Sequence, residues 1–231
     1  MAESRTKQAL LAGATGLVGG HVLNRLLAHP AYARIAVLVR RELPIRAAKI
    51  VQRVVDFDHL EAGLNITADD VFCCLGTTIG KAGSQEAFRR VDHDYPLALA
   101  RLGKAAGAQQ FLMVSSLGAN ARSRVFYSRV KGETERDVAA VGFKKVVFMR
   151  PSILRGERQE YRAGERAGIF IGRIIAPLMA GRLRKYRPID ADDVAAAMLY
   201  AANHDVPSGP FESDQIERLA QRDSAGNKMA G

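Results

Sequence analysis

The chain has 231 residues, of which 48% are hydrophobic, and a formal net charge of +10. That apolar share supports a buried core and excludes a disordered chain, and the length fits one domain with a small insert. The absence of tryptophan and an aromatic share of only 6% leave little for bases to stack on, so nucleic acid is not an expected partner and the arginines read as a solvated basic surface.

The polar start from Met1 to Lys7 carries no apolar signal region, so export is not expected. Lys7–Ala12 reads as a short apolar strand that runs into Gly13-Ala-Thr-Gly16-Leu-Val-Gly19. Leu17–Ala28 reads as a helix, with Val18, Val22, Leu23, Leu26 and Leu27 on its apolar side. A strand, a glycine turn and a helix form a cradle for a pyrophosphate. Gly13 permits the tight turn, Gly16 lets the backbone come close, Gly19 lets the helix pack on the strand, and the helix start offers N–H groups. The residues of that start that would meet the cofactor are Thr15, Leu17 and Val18.

Ile35–Val39 reads as the second strand and ends in Arg40-Arg41. Folds that select NAD place an acid there for the ribose 2′-hydroxyl. Two guanidinium groups suit a 2′-phosphate, so NADP is expected over NAD.

Val51–Phe57 and Asp70–Leu75 read as further strands, the latter ending at Gly76-Thr77-Thr78. Cys73 and Cys74 are adjacent within it, which fits neither zinc spacing nor a disulfide framework; the expected location is a reducing cytoplasm. Ser84–Ala106 reads as a long helix, bent or restarted near Pro96. Phe111–Ser115, Phe126–Val141 and Lys145–Met149 read as strand, helix and strand.

Alternating short apolar strands and helices predict an α/β Rossmann fold, a doubly wound parallel sheet with helices on both faces. A single domain is expected over residues 1–223, with a substrate-region insert at about 155–188 and a polar, frayed tail at 224–231. Ile189–Val194 opens an alanine-rich helix that runs to about Asn203. The histidines show no metal spacing, and no metal site is expected.

The chemistry gathers after the fifth strand. Tyr127 and Lys131 lie four apart, so on a helix they share a face. An ammonium beside a phenol favours phenolate, which suits an acid working near neutral pH. Tyr127 would protonate a carbonyl oxygen, and Lys131 would tune it and hold the nicotinamide ribose. Ser116, or alternatively Ser115, would hydrogen-bond the substrate oxygen from the strand's C-terminal end.

The glycine turn, the serine and Tyr-x-x-x-Lys in this order resemble the short-chain dehydrogenase/reductase superfamily. Phe72–Gly83, Val91–Tyr95 and Val130–Glu133 resemble more closely its atypical branch typified by the Tat-interacting oxidoreductase-like protein. The resemblance runs from about Gln8 to Asn203. It implies that Asp56 and Phe57 sit beside the adenine. It also implies that Leu75, Gly76, Thr77 and Thr78 line the cofactor, and that Pro151, Ser152 and Ile153 flank the nicotinamide. Asp92 stands where many members carry a relay asparagine.

The expected function is NADP-dependent hydride transfer between the cofactor and a carbonyl or alcohol. The alternatives are an NADPH-binding regulatory protein and a sugar-nucleotide epimerase or dehydratase. The apolar run at 168–180 with Arg182, Arg184, Lys185 and Arg187 could wall an apolar or anionic substrate, lie on a membrane surface, or pack onto the main domain or a partner subunit of a homodimer.

Overall fold

The computed structural model describes residues 6–60, 64–156 and 181–229. Lys7–Ala12 forms β1, Leu17–Ala28 α1, Tyr32–Val39 β2, Ile50–Val54 β3 and Asp70–Cys73 β4. Two short helices follow, α2 (Ile79–Ala82) and α3 (Gln85–Arg89), then one wide π-turn over Arg90–Asp94 and α4 over Tyr95–Ala105. Gln110–Val114 is β5, Phe126–Ala139 α5, Lys145–Arg150 β6, Leu154–Arg155 β7 and Ile189–Asp190 β8. Ala191–Asn203 is α6, Gly209–Glu212 β9 and Ser213–Met229 α7.

Seven strands form one sheet in the order β3-β2-β1-β4-β5-β6-β9, and every neighbouring pair is parallel. β1 lies inside it, and Ala9 to Ala12 are wholly buried. Strands covered on both faces need no polar alternation, which is why they read as continuous apolar runs. On one face, Val22 and Leu26 of α1, Val194 and Met198 of α6 and Ile216 of α7 belong to the same core as Ile35 and Val37. On the other, Leu99 and Leu102 of α4 and Val138 of α5 share a core with Leu10, Val71 and Phe111. This is the expected doubly wound Rossmann architecture.

Several local expectations are corrected. The helix over Ser84–Ala106 restarts near Pro96 as expected, but a π-turn, not anticipated, joins its two parts. Ser84 caps α3 by accepting from the Ala87 amide, and α4 restarts at Tyr95, beside Pro96, whose missing N–H suits a first turn. The third strand stops at Val54, and Phe57 lies buried in a 3₁₀ turn over Phe57–His59. Gly209–Glu212, not anticipated, is the edge strand beside β6. The helix that starts at Ser213 continues past Asp223 to Met229. Between β2 and β3, residues 40–49 cross without a helix.

Most of the insert, residues 157–180, lies outside the described residues, and with it the apolar run at 168–180. Its two flanks are tied together: β7 and β8 pair in parallel, Leu154 opposite Ile189 and Arg155 opposite Asp190.

Candidate active site

A cleft of about 830 Å³ opens at the C-terminal edge of the sheet. This is where a parallel sheet directs its loops and where ligands of open α/β folds collect. Four strand ends and α5 supply the walls. Thr15 and Gly16 come from the turn after β1, Leu17 and Val18 from the start of α1, Leu75 to Thr78 from the loop after β4, and Ser115 and Ser116 from the end of β5. Tyr127 and Lys131 come from α5, and Pro151, Ser152 and Ile153 follow β6. The structure therefore brings together Ser116, Tyr127 and Lys131 with most of the residues expected around a cofactor.

Gly13 and Gly19 lie beneath the cleft. Gly13 has φ +89°, which favours glycine, and a Cβ there would sit 2.4 Å from the Cys74 carbonyl oxygen. A Cβ on Gly19 would sit 2.0 Å from the Gly13 carbonyl oxygen, so α1 packs on the turn only because residue 19 has no side chain. Gly16 precedes α1, and no side chain caps the helix start. The first-turn amides thus have no side-chain acceptor, and a helix in that state favours an anion.

Arg40 and Arg41 follow directly on β2, next to the strand that feeds the glycine turn. Both are exposed and outside the cleft lining, and neither makes an ion pair among the described residues. Asp56 and Phe57 do not line the cleft. Asp56 is exposed; its contact with His59, and then the Asp58 amide, hold its carboxyl below the usual range. Phe57 packs on Tyr95 at 5.6 Å between ring centres. The Ser152 hydroxyl donates to the Arg187 carbonyl, and the Ser152 amide donates to the Ser213 hydroxyl at 2.9 Å, so this serine ties the insert's flank to α7.

The two candidate serines differ. The Ser115 hydroxyl is buried and donates to Glu135 at 2.5 Å, and Glu135 also accepts from Arg150 at 2.9 Å. Ser116 is half-buried on the cleft wall, and its hydroxyl makes only a long 3.4 Å contact to the Leu117 carbonyl. Among the described residues, Ser116 has the less engaged hydroxyl of the two.

Tyr127 is half-buried, with its ring 5.4 Å from that of Phe88. Lys131 is buried, and its ammonium lies 2.7 Å from Asp92 Oδ1. The approach is oblique, so it is a close ion pair rather than an aligned hydrogen bond. The other carboxylate oxygen of Asp92 accepts from the Thr77 amide at 2.8 Å. Burial is the largest single influence and pulls the ammonium toward neutrality, but Asp92, first by its charge, together with Tyr127 and Cys73 more than offsets it, and Lys131 stays protonated above its ordinary range. Lys131 does not act on Tyr127 as a lone charge, which refines the expectation drawn from their spacing.

Sequence reasoning did not place Gly20, His21, Asn24 and Lys81 on the cleft wall. The signal for the first three was helical spacing: Leu17, Gly20 or His21, and Asn24 follow one side of α1. Cys74 also lines the cleft. Burial holds its thiol well above the usual range and pushes Cys73 up to about 12, so both remain protonated. No group of metal-binding side chains occurs among the described residues.

The profile of the NAD dependent epimerase/dehydratase family matches residues 9–212. The chain is 36% identical over 211 residues to "Protein fmp52, mitochondrial" of Aspergillus fumigatus, covering 86% of this chain and 90% of that protein. It is 33% identical over 199 residues to the protein of the same name from Saccharomyces cerevisiae, covering 84% and 86%. Among solved structures, UDP-glucose 4-epimerase of Thermotoga maritima, with UDP-glucose, superposes with a TM-score of 0.66 at 17% identity, over 93% of this chain and 82% of that one. A human epimerase family protein with NADPH superposes with a TM-score of 0.60 at 16% identity, over 88% and 72%. The curated relatives are named as mitochondrial, which overturns the expectation of a cytoplasmic location. Fold, glycine turn and profile agree: the chain belongs to the NAD dependent epimerase/dehydratase family, built on the NAD(P)-binding Rossmann fold.

Proposed function

We propose that the protein is an NADP(H)-dependent oxidoreductase that reduces a carbonyl group or oxidises the corresponding alcohol. The observation that carries this reading is the convergence of Ser116, Tyr127 and Lys131 with the α1 start on one cleft. The residues present fit a dinucleotide. Amides without a side-chain cap at Leu17 and Val18 suit the pyrophosphate, and the loop Leu75–Thr78 lines the path beyond it. Arg40 and Arg41, exposed and without an ion pair among the described residues, suit a 2′-phosphate better than a bare hydroxyl.

When bound, the nicotinamide supplies or accepts a hydride at the substrate carbon. Tyr127 donates a proton to the carbonyl oxygen, and Ser116 holds that oxygen by a hydrogen bond. Lys131, pinned by Asp92, keeps a positive charge near the phenol and offers a donor to the ribose. The half-exposed Ile153 gives the entrance an apolar side.

The family description favours a second reading, an epimerase or dehydratase in which the cofactor is restored in each turnover. One experiment separates them: purified protein, NADPH and a panel of aldehydes and ketones, followed at the cofactor's absorbance. Stoichiometric release of oxidised cofactor supports the reductase. Tight binding with conversion of a sugar nucleotide and no net cofactor oxidation supports the epimerase. Tight binding with neither supports a cofactor-loaded regulatory protein, the role suggested by the resemblance to the Tat-interacting branch.

A further inference from the structure

Asp92 is only 1% exposed and Lys131 only 6%. A carboxylate and an ammonium this deep need partners, because each alone is costly to bury. Asp92 meets that need from three sides. Its Oδ1 faces the Lys131 ammonium at 2.7 Å, its Oδ2 accepts from the Thr77 amide at 2.8 Å, and its own carbonyl accepts from the Thr134 hydroxyl at 2.8 Å. One residue thus joins the loop after β4, the π-turn and α5. Asp92 and His93 both lie in the π-turn, and both are buried. His93 then lies between Asp94 at 2.7 Å and Asp137 at 2.9 Å, which fixes the turn on α5 from the other side.

We propose that Asp92 is a positioning residue whose carboxylate ties the Lys131 ammonium and the Thr77 amide into one buried junction, setting the helix that carries Tyr127 against the loop lining the cofactor path. The junction acts as a counter-ion, in the place where a relay asparagine was the expected residue. Its use in turnover rests on the reductase reading above. The groups that face Lys131 are Asp92 from the π-turn, Tyr127 from its own helix and the protonated Cys73 from β4. Asp92 is the only carboxylate among them. A Cβ on Gly76 would lie 3.5 Å from Asp92 Oδ1 and 3.8 Å from the Lys131 ammonium, so the loop backbone lies directly over the pair.

The test separates charge from scaffolding. Asp92→Asn keeps an acceptor for the Thr77 amide and removes the counter-charge. In protein carrying ¹³C-labelled lysine, with Lys131 assigned by its loss in Lys131→Met, the substitution should lower the Lys131 titration midpoint by more than about one pH unit. The measurement uses protein without cofactor or substrate, and a purely structural role would leave the midpoint in place. An unchanged midpoint overturns the proposal. A lowered midpoint in a protein that reduces no carbonyl supports the junction and overturns the reductase reading instead. Should Asp92→Asn fail to fold, the double variant Asp92→Asn/Lys131→Met decides. With no lone buried charge it should fold and melt above Lys131→Met; a double variant that also fails to fold, or that melts below Lys131→Met, overturns the proposal.

Discussion

Ser115 and Ser116 are neighbours in the chain with opposite hydroxyl environments: the first is locked onto buried Glu135, and the second stands nearly free on the cleft wall. Ser115→Ala strands Glu135 on one side and should cost about 1.5–3 kcal/mol of stability, because it removes a hydrogen bond to a charged group. Activity per folded molecule should survive. Ser116→Ala should show the reverse, a normal melting temperature and a lower kcat. Melts and steady-state rates on the two variants check the assignment, and a drop in melting temperature for Ser116→Ala would count against it.

Tyr127→Phe removes the proposed proton donor but keeps the ring that packs on Phe88. Turnover of a carbonyl substrate should fall by about 10²–10⁴-fold, with NADPH affinity unchanged. Steady-state rates beside a fluorescence titration of the cofactor give both numbers. Wild-type turnover in the variant would remove Tyr127 from the mechanism.

Arg40 and Arg41 are proposed to meet the 2′-phosphate. Replacing both with alanine should weaken NADPH binding by about 10–100-fold and leave NADH binding unaltered, as expected for lost charge-assisted hydrogen bonds. Equal weakening of both cofactors would assign the two arginines to general surface charge.

Gly19→Ala and Gly20→Ala form a pair of controls on α1. The first places a Cβ 2.0 Å from a backbone oxygen, whereas the second meets its nearest atom, the Ala14 carbonyl oxygen, at an ordinary 3.6 Å. Gly19→Ala should lose at least about 1–3 kcal/mol by overpacking, and Gly20→Ala should be neutral or slightly stabilising in a helix. Chemical denaturation midpoints decide.

The Arg136 guanidinium beside Asp137, with His93 on its other side, holds that carboxyl down at about 2. A carboxyl depressed on folding contributes stability above its unfolded value of about 3.9, and the contribution is lost as pH falls from about 4 toward 2. Melting temperature should therefore drop more steeply over that window in the wild type than in Asp137→Asn. Added salt should shrink the difference, because Arg136 is solvent-facing. Equal slopes would show that Asp137 plays no part in acid stability.

The layered sheet was legible because buried parallel strands are written as uninterrupted apolar runs, and Gly13, Gly16 and Gly19 mark the first crossover. The edge strand Gly209–Glu212 was not, since Gly-Pro-Phe-Glu lacks such a run and gains strand form only by pairing with β6. At the site, Tyr127 and Lys131 follow from helical spacing. The partner of Lys131 does not, because a 3.6-residue period carried through Ser84–Ala106 gives no hint of a π-turn at Arg90–Asp94. The choice between Ser115 and Ser116 also needed coordinates: it depends on Glu135, twenty residues away, whose carboxylate also takes Arg150.

The all-parallel sheet has a consequence for how the molecule comes into being. No pair of its strands can be joined by a hairpin, so each must wait for a crossover segment to close on itself. Such chains fold at a pace set by long-range closure rather than by local structure. The cleft draws on residues from Thr15 to Leu154. It is complete only when β6 has joined β5, so on the ribosome roughly two thirds of the chain must emerge before a ligand pocket exists at all.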